Sequence, residues 1–535
     1  MLALVGVSIH TPGAQSQAAD PAAVVLDPGL APDAGVAPTG ATPTGDDDDE
    51  AGDDGGMALP TPPSDPVARK AWLSSQLDLA VAAAPNLARG VVGATVIDVA
   101  SGEVLWAHDA ERALSLASVQ KVLTVATALR VLGPAFRWRT TIYGEDFDPA
   151  TGTVDGDLIV RGRGDPMLTS GDLRALVRDL RWRGVTDVRG DLVFDGSYFD
   201  EVDEPPRYAD QPKERAGFRA PIGAASLERN AVTVVVVADR VGLGLAAVSL
   251  EPGGGDAVRL VEHTVVTVAT GRTRIAVSTD VKRDHIELRV TGQIAADDAV
   301  SFVRRRVDDP TALFGEALRE ALASAGIRVR GKGIKRRPIA PDQDVQVLAE
   351  RESAPLGDVV RAMAKASDNY LAETVLKTVG AEVRAANGGG PGTWADGVAA
   401  VHAMMLDAGV APGFRVENGS GLYDASSVSA AAVARVLAAG WRDFRVGPEL
   451  ASALAIGGVD GTLRRRLAAP AVRGRVRGKT GTLAAVSSLA GFAGGDGQRV
   501  LAFVVLVNQL PTGARPEAKR LQDAVATLAL AYSLP

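Results

Sequence analysis

The chain has 535 residues, 46% of them hydrophobic and 23% charged, which is more than one core can hold, so two or three domains are expected. A net charge of −8 argues against nucleic-acid binding. The absence of cysteine excludes disulfides, thiolate zinc sites, a cysteine nucleophile and a lipidated N-terminal cysteine.

In chain order, Met1 to Ile9 is apolar and Ser16-Gln17-Ala18 fits a small-x-small cleavage site. Residues 1–19 therefore read as a signal peptide whose true start lies upstream, and the protein as exported to the periplasm. No later apolar run is long enough to span a membrane. Residues 20–65 are rich in Ala, Pro, Gly, Thr and Asp and contain Asp46-Asp47-Asp48-Asp49-Glu50. They are expected to form a disordered linker, because so little apolar surface cannot offset the entropy of ordering.

Folded structure is predicted from residue 66. Ser64-Asp65-Pro66 signals a helix start, ahead of apolar positions at Trp72, Leu73, Leu77 and Val81. Two strands follow, Val91 to Val99 and Glu103 to Ala107, joined by the turn signal Ala100-Ser101-Gly102. A helical pattern then runs through Val122, Val125, Ala126 and Leu129. Residues 66–144 are assigned to the first part of one domain. Residues 145–349 change texture to short β-rich runs, among them Thr153 to Arg161, Val188 to Phe194, Ala231 to Ala238, Val258 to Thr270 and His285 to Ile294. They read as an insert of two modules. Residues 350–535 complete the first domain, with helical patterns, a fully apolar strand near Val500 to Val507 and a closing amphipathic helix. The fold class is α+β: one antiparallel sheet built from both chain ends and flanked by helices.

Three motifs carry chemistry. Ser118-Val119-Gln120-Lys121 opens the helix after the hairpin, where a serine and a lysine three apart share one face. A serine hydroxyl attacks well only when a base takes its proton. A lysine can do that if burial or a second cation disfavours its charged form. Ser367-Asp368-Asn369 is the second motif, and Lys479-Thr480-Gly481-Thr482 lies at the end of a predicted strand. S-x-x-K, S-D-N and K-T-G in that order form the signature of penicillin-binding proteins and class A β-lactamases.

Each residue has a physical role to fill. Lys479 brings a second cation towards Lys121, and with the hydroxyls of Thr480 and Thr482 can hold a carboxylate. Gly481 leaves room for a substrate backbone along the strand edge. The N–H groups of Ser118 and Thr482 form an oxyanion hole. Ser367 relays a proton, and Asn369 orients Lys121.

The long gap between Ser118 and Ser367 leaves room for a whole inserted region. With that spacing, the chain resembles the D-alanyl-D-alanine carboxypeptidase/endopeptidase family of class C low-molecular-mass penicillin-binding proteins (peptidase family S13) over residues 67 to 535. Further matches are Val160-Arg161-Gly162-Arg163-Gly164-Asp165-Pro166-Met167-Leu168, Asn418-Gly419-Ser420-Gly421-Leu422 and Ser488-Leu489-Ala490-Gly491-Phe492. The resemblance implies a transpeptidase/β-lactamase-like domain interrupted by two β-rich domains. It also implies cleavage of D-Ala-D-Ala bonds, and of cross-links, in peptidoglycan stem peptides through an acyl-Ser118 intermediate. β-Lactams would be acylating inhibitors, and no cofactor or metal is implied. An acidic residue on the insert is expected to contact the diaminopimelate side chain, and Asp195, with Phe199 nearby, is its match. Asn418 and Tyr423-Asp424 depart from the family pattern, where Asp and smaller polar residues are expected.

Other readings are a β-lactamase, separated by its deacylation rate, and a catalytically weak wall-binding scaffold. The five histidines (His10, His108, His263, His285 and His402) are scattered and form no H-E-x-x-H motif.

Overall fold

The structure is a computed structural model that describes residues 59–495 and 499–535. The expected signal peptide and nearly all of the expected linker lie outside the described residues. The described residues belong to one compact unit.

Its organising element is a six-stranded antiparallel sheet. The strand order is Val104–His108, Val91–Asp98, Arg499–Asn508, Val486–Gly495, Val476–Leu483 and Ala455–Ile456. The middle pairing joins the two chain ends, with Val91 opposite Asn508 and Asp98 opposite Leu501. The fully apolar runs become the central strands because both of their faces are covered. One face packs Val92, Ala94, Val96, Phe503 and Val505 in the same core as the helices Pro66–Ala82 and Arg515–Ser533. Alternate residues on the other face, such as Ile97, Ala502, Val504 and Leu506, share a second core with Gln120–Leu132, Leu356–Ala366, Asn369–Ala386 and Ala430–Arg442. The sequence expectation of an α+β fold with this sheet is borne out, with a short sixth strand added at one edge.

Helix Gln120–Leu132 is buried on every side from Gln120 to Leu129. A helix covered all round is a core element, which fixes its N-terminus rigidly.

Between the two halves of the sheet lie two further cores. The first packs a five-stranded sheet (Ile334–Arg336, Leu192–Asp195, Leu158–Gly162, Arg139–Glu145 and Val345–Glu352) against helices Ser170–Trp182 and Pro310–Ser324. Arg139–Glu145 and Val345–Glu352 pair antiparallel, so the chain leaves and returns through neighbouring strands. The second core joins two three-stranded sheets through Val234, Val236, Leu288, Val290 and Val303.

The two helices are additions to the β-rich insert expected for residues 145–349. The signal was present: Thr169 closes a capping box with Asp172, and Leu173, Leu176, Val177 and Leu180 follow at helical spacing and are buried.

Candidate active site

Ser118 sits in a single 3-10 turn, Ala117–Val119, that feeds the buried helix. Two glycines clamp this turn. A Cβ on Gly421 would fall 2.0 Å from the Ala117 carbonyl oxygen. One on Gly481 would fall 2.7 Å from the Leu116 oxygen and 3.1 Å from the Ser118 nitrogen. Ala117 itself takes a φ of +47°, a left-handed conformation that costs energy for a residue with a Cβ. Hydrogen bonds from Ser115 N–H to Asn508 Oδ1 (2.8 Å), from Asn508 Nδ2 to the Ser115 carbonyl (3.0 Å) and from Leu116 N–H to Ser426 Oγ (3.2 Å) hold the approach.

Lys121 is fully buried. Its amine donates to Ser118 Oγ at 3.0 Å, Asn369 Oδ1 at 2.7 Å and the Ser420 carbonyl at 3.0 Å, none of them a carboxylate. Lys479 is buried too, and its amine donates to Ser367 Oγ and to the Thr480 carbonyl, both at 2.8 Å. The Ser367-Asp368-Asn369 segment thus touches both lysines, one from each end.

That segment is the break between two helices. Ser367 ends Leu356–Ala366 in a left-handed conformation, and Asp368 caps Asn369–Ala386 by accepting from Leu371 N–H at 2.9 Å. The other oxygen of Asp368 pairs with Arg229 at 2.9 Å, tying the break to the insert. Serine and asparagine therefore face the lysines while aspartate builds the backbone that presents them.

The edge of the sheet completes the arrangement. Strand Val476–Leu483 pairs with Ala455–Ile456 only at Arg477 and Gly478. Among the described residues, its outer edge from Lys479 onward carries no partner strand, so its N–H and C=O groups can receive an extended peptide. Thr482 is half-buried on that stretch, and Thr480 shares a hydrogen bond with Thr462 at 2.8 Å.

The structure brings Ser118, Lys121, Ser367, Asn369, Lys479, Thr480, Gly481 and Thr482 together, although they are spread over most of the chain. It adds a second reason for Gly481. The glycine is also needed because the strand lies against the backbone of the nucleophile's turn.

Asp195 calls for a correction. It is 1% exposed at the end of strand Leu192–Asp195. Its carboxylate accepts from Ser197 N–H at 3.0 Å and Ile339 N–H at 3.3 Å and pairs with Arg161 at 3.4 Å. Every one of these bonds lies within the insert, and none reaches the three motifs. A buried carboxylate spent on two N–H groups and a guanidinium is holding a turn.

Residues that sequence reasoning missed lie around the Asn418–Leu422 loop. Ser420 supplies the carbonyl that receives Lys121, and Glu373 accepts from the N–H groups of Gly419 and Ser420 at 3.0 and 2.9 Å. The departing residues have structural partners. Asn418 is buried and accepts from Gly421 N–H at 2.9 Å. Tyr423 meets Tyr208 edge-on at 5.5 Å, with the Arg219 guanidinium 5.3 Å above its ring. The loop itself is one of the family matches in the sequence, but nothing there assigns a role to its backbone. Glu373, four residues after Asn369 on one helix face, gave no signal of its own.

A half-buried serine bonded to a buried lysine at the start of a core helix, beside a lysine-bearing edge strand, defines a serine enzyme of acyl transfer on a transpeptidase/β-lactamase-like fold. The chain belongs to the D-Ala-D-Ala carboxypeptidase 3 (S13) family, whose family model matches residues 73–531. It is 33% identical over 491 residues to a D-alanyl-D-alanine carboxypeptidase from Actinomadura sp., covering 87% of this chain and 86% of the relative. It is 27% identical over 437 residues to D-alanyl-D-alanine carboxypeptidase DacB from Haemophilus influenzae, covering 79% and 86%. The crystal structure of penicillin binding protein 4 (dacB) from H. influenzae superposes with a TM-score of 0.66 at 23% identity, over 85% of this chain and 98% of that one, which shows a shared fold.

Proposed function

We propose that this protein is a periplasmic serine-type D-alanyl-D-alanine carboxypeptidase that acts on peptidoglycan stem peptides and their cross-links and is acylated by β-lactams. The observation that carries the reading is the buried Lys121 amine 3.0 Å from Ser118 Oγ. Asn369 and Ser420 hold the amine in place.

In the acylation step Lys121 takes the Ser118 proton, and Oγ attacks the carbonyl carbon of the penultimate D-alanine. The resulting oxyanion is met by the N–H groups of Ser118 and Thr482. The C–N bond breaks as the leaving amine takes up a proton, a transfer to which Ser367, bonded to Lys479, is suited. Water then attacks the ester and restores the Ser118 hydroxyl. A cross-linked amine can leave in the same way as free D-alanine. A β-lactam gives the same ester by ring opening, with its amine still attached. Among the described residues no strand pairs with the edge beyond Gly478, which supports a substrate that lies as an added strand, its carboxylate towards Lys479, Thr480 and Thr482.

The test is mass spectrometry after benzylpenicillin, followed by D-alanine release from a D-Ala-D-Ala peptide. A slowly hydrolysed adduct on the Ser118 peptide, lost in Ser118→Ala, is expected together with peptide turnover. An adduct on another serine, or fast penicillin turnover without peptide cleavage, would overturn the reading. Export is tested separately, by recovery in an osmotic-shock fraction of a chain starting near Ala19; an active, unprocessed cytoplasmic form would refute it.

A further inference from the structure

The Asn418–Leu422 loop does more than close over the nucleophile's helix. Ser420 is a node with three fixed points. Its carbonyl receives the Lys121 amine at 3.0 Å, its N–H donates to Glu373 Oε1 at 2.9 Å, and its hydroxyl lies 3.4 Å from the Tyr208 hydroxyl. The preceding peptide is fixed as well. Gly419 N–H donates to Glu373 Oε2 at 3.0 Å, and its carbonyl accepts from Thr124 Oγ1 at 2.7 Å, one turn along the nucleophile's helix. A Cβ on Gly419 would fall 2.5 Å from the Ala372 carbonyl, so the loop lies directly on the helix that carries Glu373.

Glu373 is fully buried, and its carboxylate is satisfied by N–H donors: the two loop amides and the Trp394 indole at 3.1 Å. Burial pushes its carboxyl above the usual range, while the bonds from Ser420, Gly419 and Trp394 pull the other way. Glu373 also shares its helix with Asn369, the second acceptor of the Lys121 amine. One helix thus holds Lys121 twice, directly through Asn369 and indirectly through the loop.

We propose that Glu373 is a positioning residue for acylation: it fixes the Gly419–Ser420 peptide so that the Ser420 carbonyl holds the Lys121 amine against Ser118. The inference rests on the Ser118–Lys121 reading above. Glu373 acts through the Gly419–Ser420 peptide, whose carbonyls receive the Lys121 amine and the Thr124 hydroxyl on the Ser118 helix. In Glu373→Gln, one arm of the side chain becomes an NH2 group. An NH2 facing an N–H cannot accept from it, so a buried donor is left unpaired and the peptide shifts.

The experiment measures benzylpenicillin acylation of the full chain under single-turnover conditions. It separates the rate constant at saturation from the dissociation constant of the pre-covalent complex, with thermal unfolding in parallel. Glu373→Gln is expected to lower the saturating rate about 10- to 100-fold, as sub-ångström misplacement of a base does, while the dissociation constant holds. A purely structural role would lower thermal stability and leave the folded fraction reacting at the wild-type rate, and that result overturns the proposal. Glu373→Asp keeps a buried carboxylate one methylene too short to hold both amides, and the same split is expected if the Gln variant does not fold. Failure of wild type to acylate at Ser118 would instead remove the enzyme reading itself. Normal wild-type acylation with an unaffected folded variant removes only the role of Glu373.

Discussion

Replacing Gly481 by alanine adds one methyl group where the edge strand meets the nucleophile's turn. The new Cβ would lie 2.7 Å from the Leu116 carbonyl oxygen and 3.1 Å from the backbone nitrogens of Ser118 and Val119. All three are main-chain atoms, so no side chain can swing aside. Opening the first contact from 2.7 Å to the 3.4 Å at which ordinary van der Waals contact begins takes at least about 0.7 Å, in an interior that is already close-packed. Overpacking of this kind costs about 1–3 kcal/mol. The displaced element is the Ala117–Val119 turn, held from the other side by Gly421. Ser118 therefore moves relative to both Lys121 and Thr482, and a shift of that size corresponds to about a tenfold or greater loss of rate. Single-turnover acylation by a fluorescent penicillin, with thermal unfolding in parallel, reads both effects. The expected outcome is a slower saturating rate and a lower melting temperature, with little change in pre-covalent binding. Weaker binding of peptide and penicillin, at unchanged saturating rate and stability, would refute the packing argument and leave only the substrate-clearance reason for the glycine.

Lys121→Arg is expected to abolish acylation, because a guanidinium cannot give up its proton to act as a base. Lys479→Arg keeps a cation beside the Thr480 carbonyl and is expected to retain measurable acylation; equal and complete loss in both would assign the Lys121 effect to geometry. Burial pushes the Asp165 carboxyl up to about 6, helped by Asp172 and opposed by the Met167 N–H and Arg351. The folded state then holds a proton that the unfolded chain releases near 3.8, so this stabilising contribution is full below about pH 4 and lost as pH rises through 6. Asp165→Asn is accordingly expected to raise stability at pH 7–8 by up to about 3 kcal/mol and to have little effect at pH 4, checked by urea unfolding at both; an equal gain at both would reject the linkage. Asp195→Ala is expected to cost about 1–3 kcal/mol of stability, by leaving the Ser197 and Ile339 N–H groups unpaired. It should not change the ratio of diaminopimelate-peptide turnover to penicillin acylation; a selective loss on the peptide would return Asp195 to the substrate.

The sequence by itself determined the three motifs and the central sheet. Ser118, Lys121, Ser367, Asn369, Lys479 and Gly481 are legible because each chemical task admits few residue types, so the motifs are short and rigid. Strand Arg499–Asn508 is legible because burial on both faces demands the unbroken apolar run Val500 to Val507, and Val91–Asp98 because it is mostly apolar and ends at a turn signal. The helix Ser170–Trp182 was equally written in the chain, through its capping box and apolar spacing, but was hidden in a region of strand-like neighbours. What only the tertiary structure decided is which groups meet across long separations. Nothing local marks Glu373 as the acceptor for the amides of Gly419 and Ser420, or Arg229 as the partner of Asp368. Asp195 shows the converse: its local pattern suggested a substrate contact, and its environment spends the carboxylate on Arg161 and two N–H groups. A hydrogen-bond partner far away in sequence leaves no periodicity and no composition bias. It exists only once the hydrophobic cores have brought the elements together, and in this protein such distant partners, Asn369 and Ser420, hold the Lys121 amine.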